Sequence, residues 1–313
     1  MRILVTGARG FIGSWVADAL LARHVGVIAF DRYRPDEAAN DRPGVDRFLG
    51  DVRDHTAVSE AVGLSDGVIH LAGVLGTAET ISDPVPSIET NVRGSLNVFE
   101  ACRHYRRRAA YITVGNYWFY NSYSITKTTA EQLAWMYNRE HGTEIAVVRA
   151  LNAYGPRQKE SPVRKIMPNF ILPALRGDPI TIYGDGEQVM DMIHVRDVAD
   201  VLVRALLEDH GQYRPEPSRH ADNPSKFEAG SGVPTTVNEI AAAVIAAVGQ
   251  GSVRHVPMRG GEPLRSVVLG DPKTLRPLYG GDLPALTPLD EGIAETVAYY
   301  RDRERRAVGL AAR

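Results

Sequence analysis

Three glycines at the end of the first apolar run constrain this chain more than any other feature. Residues 3–6 have the composition of a buried strand, and a helical period then runs to about Arg23, with Gly7, Gly10 and Gly13 at the junction. A missing side chain permits a tight turn at Gly7. At Gly10 it lets backbone N–H groups approach a pyrophosphate, and at Gly13 it lets the helix pack on the strand. Glycines at this spacing occur by chance in many loops. Here a strand precedes them and a helix follows, the context that a dinucleotide-binding loop requires.

Asp31 closes the next apolar run, 18 residues beyond Gly13, near the separation at which a carboxylate meets the adenosine ribose hydroxyls. That carboxylate repels a 2′-phosphate, so NAD is the expected cofactor, while the adjacent Arg32 leaves NADP open. Arg9, Phe11, Ile12 and Arg32 join Gly7, Gly10, Gly13 and Asp31 as cofactor-binding candidates. The competing interpretation, a structural turn with a solvent-facing Asp, needs both features to coincide by accident.

Further apolar runs at 25–30, 68–72, 109–114 and 145–151 alternate with helix-period segments. This is the pattern of a parallel sheet covered on both faces, and it predicts an α/β fold with a Rossmann-type doubly wound parallel sheet. Beyond about residue 152 the rhythm breaks into loops such as Tyr154-Gly155-Pro156 and Tyr183-Gly184-Asp185-Gly186, with helical stretches near 164–176, 195–208 and 236–249. The expected division is an NAD-binding domain over 1–152, to which about 181–208 return, and a smaller C-terminal lobe over 153–313 that binds substrate. Residues 209–227, polar and with three prolines, predict a long surface loop, and the Arg-rich stretch after Tyr300 a fraying helix end.

The composition excludes several classes of function. Its 44% apolar and 24% charged residues, with no apolar run near the roughly 18 residues of a membrane span, are those of a soluble protein. A net charge of −2, with both signs interspersed, offers no basic field to nucleic acid or to an anionic membrane. Arg106, Arg107 and Arg108 form the densest basic run, and they fall where a helix passes into a strand. The single cysteine, Cys102, forms no intrachain disulfide and fits a reducing, cytoplasmic setting. His70 and His194 lack ligand spacing, so no metal is expected.

Tyr123-Ser124-Ile125-Thr126-Lys127 opens a segment of helical period, which places Tyr123 and Lys127 one turn apart on one face. A neighbouring ammonium favours a phenolate and lowers its pKa from near 10 toward the working pH, which makes a general base. Alone, such a pair is usually a packed ring and a solvated amine.

With the glycine loop, the pair resembles the extended short-chain dehydrogenase/reductases of the NAD-dependent epimerase/dehydratase family, and ordered motifs extend the resemblance over nearly the whole chain. Asp51-Val52 is similar to the family's adenine-contacting pair. His70-Leu71-Ala72-Gly73 is similar to its fourth-strand motif beside the cofactor, and Thr90-Asn91-Val92-Arg93-Gly94 to the helix whose Asn steadies the active site. Arg149-Ala150-Leu151-Asn152-Ala153-Tyr154-Gly155-Pro156 resembles the segment whose Asn, here Asn152, meets a sugar-nucleotide diphosphate. Asp185-Gly186-Glu187-Gln188, His194-Val195-Arg196-Asp197-Val198 and Arg259-Gly260-Gly261-Glu262 resemble motifs of the substrate lobe. The resemblance implies cofactor contacts at Asp51, Val52, Leu71, Ala72, Gly73, Asn91, Tyr123 and Lys127, and substrate contacts at Glu79, Asn152, Asn169 and Arg259. It implies Tyr123 as the acid/base on a sugar hydroxyl and Lys127 as the residue that holds the nicotinamide ribose and tunes the tyrosine. It also implies a homodimer in which the helices near 91–104 and 123–140 form a four-helix bundle with their copies.

The chain departs from the family pattern before Tyr123, where the loop is short. Thr113, four residues before Tyr117, is the candidate for the hydroxyl that family members place at the end of the fifth strand. A register based on Phe119 puts Gly115 there instead, with Ser122 and Asn116 as fallback donors, and Thr113 as a plain strand residue is equally open. Residues 114–120 contain no carboxylate, whereas the dehydratase and decarboxylase branches need one there. Epimerisation of a nucleotide sugar, at C4 through a transient ketone, is therefore the leading expectation. A dehydratase, reductase or decarboxylase remains the alternative, as does a non-catalytic NAD-binding regulator. At Met190 many relatives carry an arginine that grips the diphosphate, and Arg164 or Lys165 are candidates to replace it.

Overall fold

The computed structural model describes residues 1–32, 43–211, 213 and 226–311. The first half runs β1 (Arg2–Thr6), α1 (Phe11–Leu21), β2 (Gly26–Asp31), β3 (Val45–Leu49), α2 (His55–Gly63), β4 (Gly67–His70), α3 (Val85–Ser87), α4 (Gly94–Tyr105), β5 (Arg108–Val114), α5 (Ser122–His141) and β6 (Ile145–Ala150), with a π-helical turn at Ile88–Arg93 ahead of α4. The second half adds β7 (Asn152–Tyr154), α6 (Ile166–Arg176), β8 (Ile180–Tyr183), β9 (Val189–Met190), β10 (Met192–His194), α7 (Val195–Leu207), β11 (Lys226–Ala229), β12 (Thr235–Thr236), α8 (Val237–Val248), β13 (Val253–Val256), β14 (Val267–Val268) and α9 (Leu289–Ala311).

Seven of these strands form one parallel sheet in the order β11-β6-β5-β4-β1-β2-β3. Successive residues of β1 feed opposite faces: Ile3 and Val5 join α1 and α7 in one core, and Leu4 joins α2, α4 and α5 in the other. Both faces are covered, as the continuous apolar runs require. The chain moves outward from β1 to β2 and β3, then returns to β4 on the other side of β1. This reversal opens a crevice at the carboxyl ends of β1 and β4, where α/β sheets bind ligands.

Two strands of this sheet, β3 and β11, have no apolar run to announce them. β3, Val-Asp-Arg-Phe-Leu, is a largely exposed edge strand without an apolar run. β11 falls partly within the stretch expected to be loop: Phe227 and Ala229 are buried on the sheet, while Lys226 and Glu228 alternate with them. The remainder of that expected loop, residue 212 and residues 214–225, lies outside the described residues. The Arg-rich stretch after Tyr300 continues α9 to Ala311, tied by Arg303 to Glu160 and by Arg306 to Asp302.

A third core is built from α6, α8, α9 and the short strands β8 and β10. Asp191, fully buried between β9 and β10, binds neighbouring segments together. Its carboxylate accepts from Ser231 N and Oγ (both 2.7 Å), Gly232 N (2.8 Å) and Gly270 N (3.0 Å).

Candidate active site

The glycine loop has the geometry its sequence demands. Gly7 sits at φ +69°, and its N–H donates to the Phe30 carbonyl (2.9 Å). A Cβ there would lie 2.9 Å from Ala72 N, so the loops after β1 and β4 touch. A Cβ on Gly13 would lie 2.3 Å from the Gly7 carbonyl oxygen, closer than any side chain tolerates. No side chain caps the N-terminus of α1, which leaves Phe11, Ile12 and Gly13 at a positive helix end suited to a pyrophosphate. Asp31 accepts from the backbone N–H of Arg9 (3.0 Å) and of Arg32 (2.8 Å) at the end of β2. The Arg32 guanidinium lies 3.9 Å from Asp51, whose carboxyl is held below its usual range by hydrogen bonds from Arg53. Val52 is buried under Gly94, and its carbonyl accepts from Asn97 (2.9 Å).

Behind the loop after β4 runs a chain of buried hydrogen bonds whose proton positions follow from its ends. Thr6 Oγ1 accepts from the N–H groups of Leu71 (3.1 Å) and Ala72 (3.2 Å), so its own proton goes to His70 Nδ1 (2.7 Å). Ser95 Oγ donates to the Asn91 carbonyl (2.6 Å) and therefore receives the proton of His70 Nε2 (3.0 Å). His70 is thus the neutral Nε2–H tautomer, and burial, helped by the charge of Lys127, holds its pKa down to about 3. Its role is to brace the Leu71-Ala72-Gly73 segment.

Asn91, expected among the cofactor contacts, is fully buried. Its side chain accepts from Val74 N (2.8 Å) and donates to the Val74 carbonyl and to Thr126 Oγ1 (both 3.0 Å). The structure gives it a supporting place, linking the loop after β4 to α5 next to Lys127.

Asn121 caps α5 by accepting from Ser124 N (2.9 Å), which starts the helix just before Tyr123. The Tyr123 edge keeps some exposed surface, yet burial pushes its phenol up to about 12. Lys127 is 3% exposed, its Nζ 4.3 Å from the centre of the Tyr111 ring. Burial brings its pKa down to about 7, against the opposing pull of Glu131. For Tyr123, desolvation sets the upward direction, which is opposite to the lowering expected from the Lys127 ammonium. Thr113, near the end of β5, is 2% exposed, and its hydroxyl donates to the Lys127 carbonyl (3.4 Å), as does that of Tyr111 (3.3 Å). At Gly115, the position of the alternative register, a Cβ would lie 2.3 Å from Leu151 Cδ1.

One charged pair eluded the sequence analysis. Glu131, one turn beyond Lys127 and fully buried, takes a forked ion pair from Arg149 on β6. Arg149 also lies 3.7 Å from Glu228 on β11 and stacks on the Tyr117 ring (4.2 Å). Two signals could have found the pair: Tyr123, Lys127 and Glu131 recur at intervals of four, and an arginine inside an apolar strand needs a buried partner.

Toward the C-terminal side, charged groups gather around the Arg259 turn. Arg259 pairs with Glu262 and lies 3.9 Å from Glu79 and 4.9 Å from the centre of the Tyr183 ring. Glu79 accepts from Arg164 N (3.2 Å), and Arg164 Nη1 donates to Tyr183 Oη (3.1 Å). Lys165, its pKa lowered by burial against the pull of Glu79, precedes α6, whose N-terminus has no side-chain cap. The Asn169 amide donates to the Lys165 carbonyl (2.8 Å), and that of Asn152 to the Asp191 carbonyl (3.1 Å). Met190 is half-buried against the third core and brings no charge. Among the described residues no three metal-ligating side chains gather, and no helix is long and apolar enough to cross a membrane.

Comparisons with known proteins show the family. The family model described as "NAD dependent epimerase/dehydratase family" matches residues 3–216. The UDP-N-acetyl-alpha-D-glucosaminuronate decarboxylase of Bacillus cytotoxicus is 30% identical, over 66% of this chain and 71% of that protein. The UDP-glucose 4-epimerase of Mycolicibacterium smegmatis is 29% identical, over 97% of this chain and 100% of its own. Against the UDP-glucuronic acid decarboxylases 4 and 2 of Arabidopsis thaliana, the match spans only 52% of their length. The crystal structure of the Thermus thermophilus UDP-glucose 4-epimerase in complex with NAD superposes with a TM-score of 0.83 at 29% identity, covering 96% of this chain and 99% of that one. The chain therefore belongs to the NAD dependent epimerase/dehydratase family.

Proposed function

We propose that this chain is an NAD-dependent nucleotide-sugar epimerase acting at C4, similar to UDP-glucose 4-epimerase. The observation that carries this reading is Tyr123 beside Lys127 on α5, preceded by a short segment, 114–120, without a carboxylate. The nearby carboxylates are engaged elsewhere: Glu131 with Arg149, Glu79 with the Arg164 backbone and near Arg259, and Glu262 with Arg259. Elimination or decarboxylation needs a further acid or base, whereas epimerisation needs only Tyr123.

The loop fits NAD, because Gly7 and Gly13 allow its tight turn and the close packing of α1 behind it, and the N-terminus of α1 has no side-chain cap. NAD, held by the glycine loop and Asp31, would supply a hydride acceptor and, once reduced, a hydride donor. Tyr123 then takes the proton from the sugar hydroxyl and returns it to the other stereoisomer, Lys127 holds the nicotinamide ribose, and the Arg259 cluster holds the diphosphate. Thr113 is the candidate second hydroxyl at the reacting carbon. Titration of apo-protein with both cofactors is expected to show tighter NAD than NADP binding, and Asp31→Ala to narrow the gap; equal or tighter NADP binding counts against the role of Asp31.

The partner in this reading is a second copy. The exposed apolar side chains of Val85, Ile88 and Ile125 around α3 to α5 support a homodimer through α4 and α5. A cytoplasmic setting is supported by the lone, buried thiol of Cys102.

The decisive experiment is incubation with UDP-glucose and other nucleotide sugars in deuterated water, followed by mass spectrometry. The epimerase reading expects an isomer of unchanged mass. A product lighter by one water or by carbon dioxide, or carrying deuterium at C5, identifies the dehydratase or decarboxylase branch instead.

A further inference from the structure

The turn that carries Arg259 is bound to more of the molecule than substrate binding alone requires. Thr77 Oγ1 donates to Glu262 (2.6 Å), and Gly261, at φ +76°, packs so closely on the loop after β4 that a Cβ would lie 2.5 Å from Ile81 Cδ1. On its other side, the Gly261 carbonyl accepts from Asn121 Nδ2 (3.3 Å). Asn121 is 2% exposed and stands two residues before Tyr123.

The amide of Asn121 is oriented by both of its partners. Ser124 N can only donate and the Gly261 carbonyl can only accept, so Oδ1 must face the helix and Nδ2 the turn. A serine, threonine or aspartate in this place would cap α5 equally well. Only a side chain that accepts at one end and donates at the other can cap α5 and hold the turn together, which makes Asn121 more than a cap.

We propose that Asn121 is a positioning residue that ties the first turn of α5, and with it Tyr123, to the Arg259 turn, so that the anionic end of the substrate sets the acid/base when it engages Arg259. This rests on Tyr123 being the acid/base of the reaction proposed above. Arg259 is held by Glu262, which is held by Thr77. A diphosphate on Arg259 competes with Glu262 and pulls on the same four-residue turn whose Gly261 carbonyl grips Asn121. The sugar and the nucleotide ends of one substrate are in this way read by one connected unit.

Two variants separate this role from capping. Asn121→Ser keeps an oxygen for Ser124 N but cannot reach Gly261. Asn121→Asp keeps the cap and has no proton to donate at neutral pH. With UDP as the probe, hydrogen exchange of the amides at 122–126 is expected to slow in the wild-type protein. In both variants that protection is expected to vanish while UDP affinity stays within about threefold, because Arg259 is intact. With UDP-glucose, kcat is expected to fall on the order of tenfold with KM little changed, the mark of a group misplaced in the transition state. The melting temperature is expected to move by less than about 3 °C, because the cap is retained.

The proposal is overturned if UDP leaves the wild-type first turn unchanged, if the variants keep the UDP protection, or if both turn over like the wild type. A wild-type enzyme that turns over no nucleotide sugar but shows the expected exchange pattern would remove the reaction assignment and leave the coupling in place.

Discussion

Lys127 is the residue whose charge depends most on where the fold puts it. Exposed, it would keep a pKa near 10.5; buried, it sits at about 7. Between these values the unfolded chain binds more protons than the folded one, so the Lys127 contribution makes stability rise with pH over that window, by at most about 1.4 kcal/mol per pH unit. Tyr123 acts in the opposite sense. Its pKa is raised from 10 to about 12, so the folded chain keeps the proton longer and stability falls above pH 10. Urea titrations of apo-protein between pH 7 and 9.5 are therefore expected to show a rising stability that Lys127→Met flattens; an unchanged slope in the variant would mean that Lys127 is charged in the folded state. Tyr123→Phe removes one hydroxyl and little volume. Turnover of UDP-glucose is expected to drop by about 10²- to 10⁴-fold, with NAD affinity and melting temperature nearly unchanged. Wild-type activity in this variant would mean that another group moves the proton.

At the scale of elements, α5 is the part on which the site is organised. Asn121 starts it, Tyr123 and Lys127 follow on its first turns, and Glu131 anchors it to β6 through Arg149. A buried ion pair is costly to break from one side, because the remaining charge is left without a partner. Glu131→Ala is expected to destabilise the protein by about 3–5 kcal/mol in equilibrium unfolding, and Glu131→Gln by less, since its amide oxygen still accepts from the guanidinium. Equal stability of Glu131→Ala and wild type would show that Arg149 finds another partner, with Glu228 the nearest carboxylate. The glycine loop, β1 and α1 were legible in the sequence because each follows from a local rule: an apolar run, a turn that excludes side chains, a helical period. The β3 and β11 strands were not legible, because edge strands carry polar residues on one side and show no local signal that distinguishes them from loop.

For the whole molecule, the parallel sheet sets the crevice, and Thr77, Ile81 and Asn121 hold the Arg259 turn. Two copies joined through α4 and α5 would cover Val85, Ile88 and Ile125. Sedimentation at micromolar concentration is expected to give twice the chain mass, and Ile125→Asp to shift it toward the monomer. A monomeric wild-type protein would mean that this apolar surface serves something else.

From sequence alone, what could be determined about this protein were the features written in consecutive residues: the α/β class, the glycine loop between strand and helix, the one-turn spacing of Tyr123 and Lys127, and the family resemblance. Spacing along a strand or helix translates directly into which face a residue occupies, so these needed no knowledge of distant contacts. Tertiary structure decided what depends on residues far apart in the chain. It showed that Asn91 ties the loop after β4 to Thr126 on α5, that burial raises the Tyr123 phenol, and that Gly115 packs against Leu151. It also showed that Asn121 joins α5 to a turn 140 residues away. The reason is physical: desolvation and hydrogen-bond partnership are set by everything packed around a group, and most of what surrounds these groups comes from other segments of the chain.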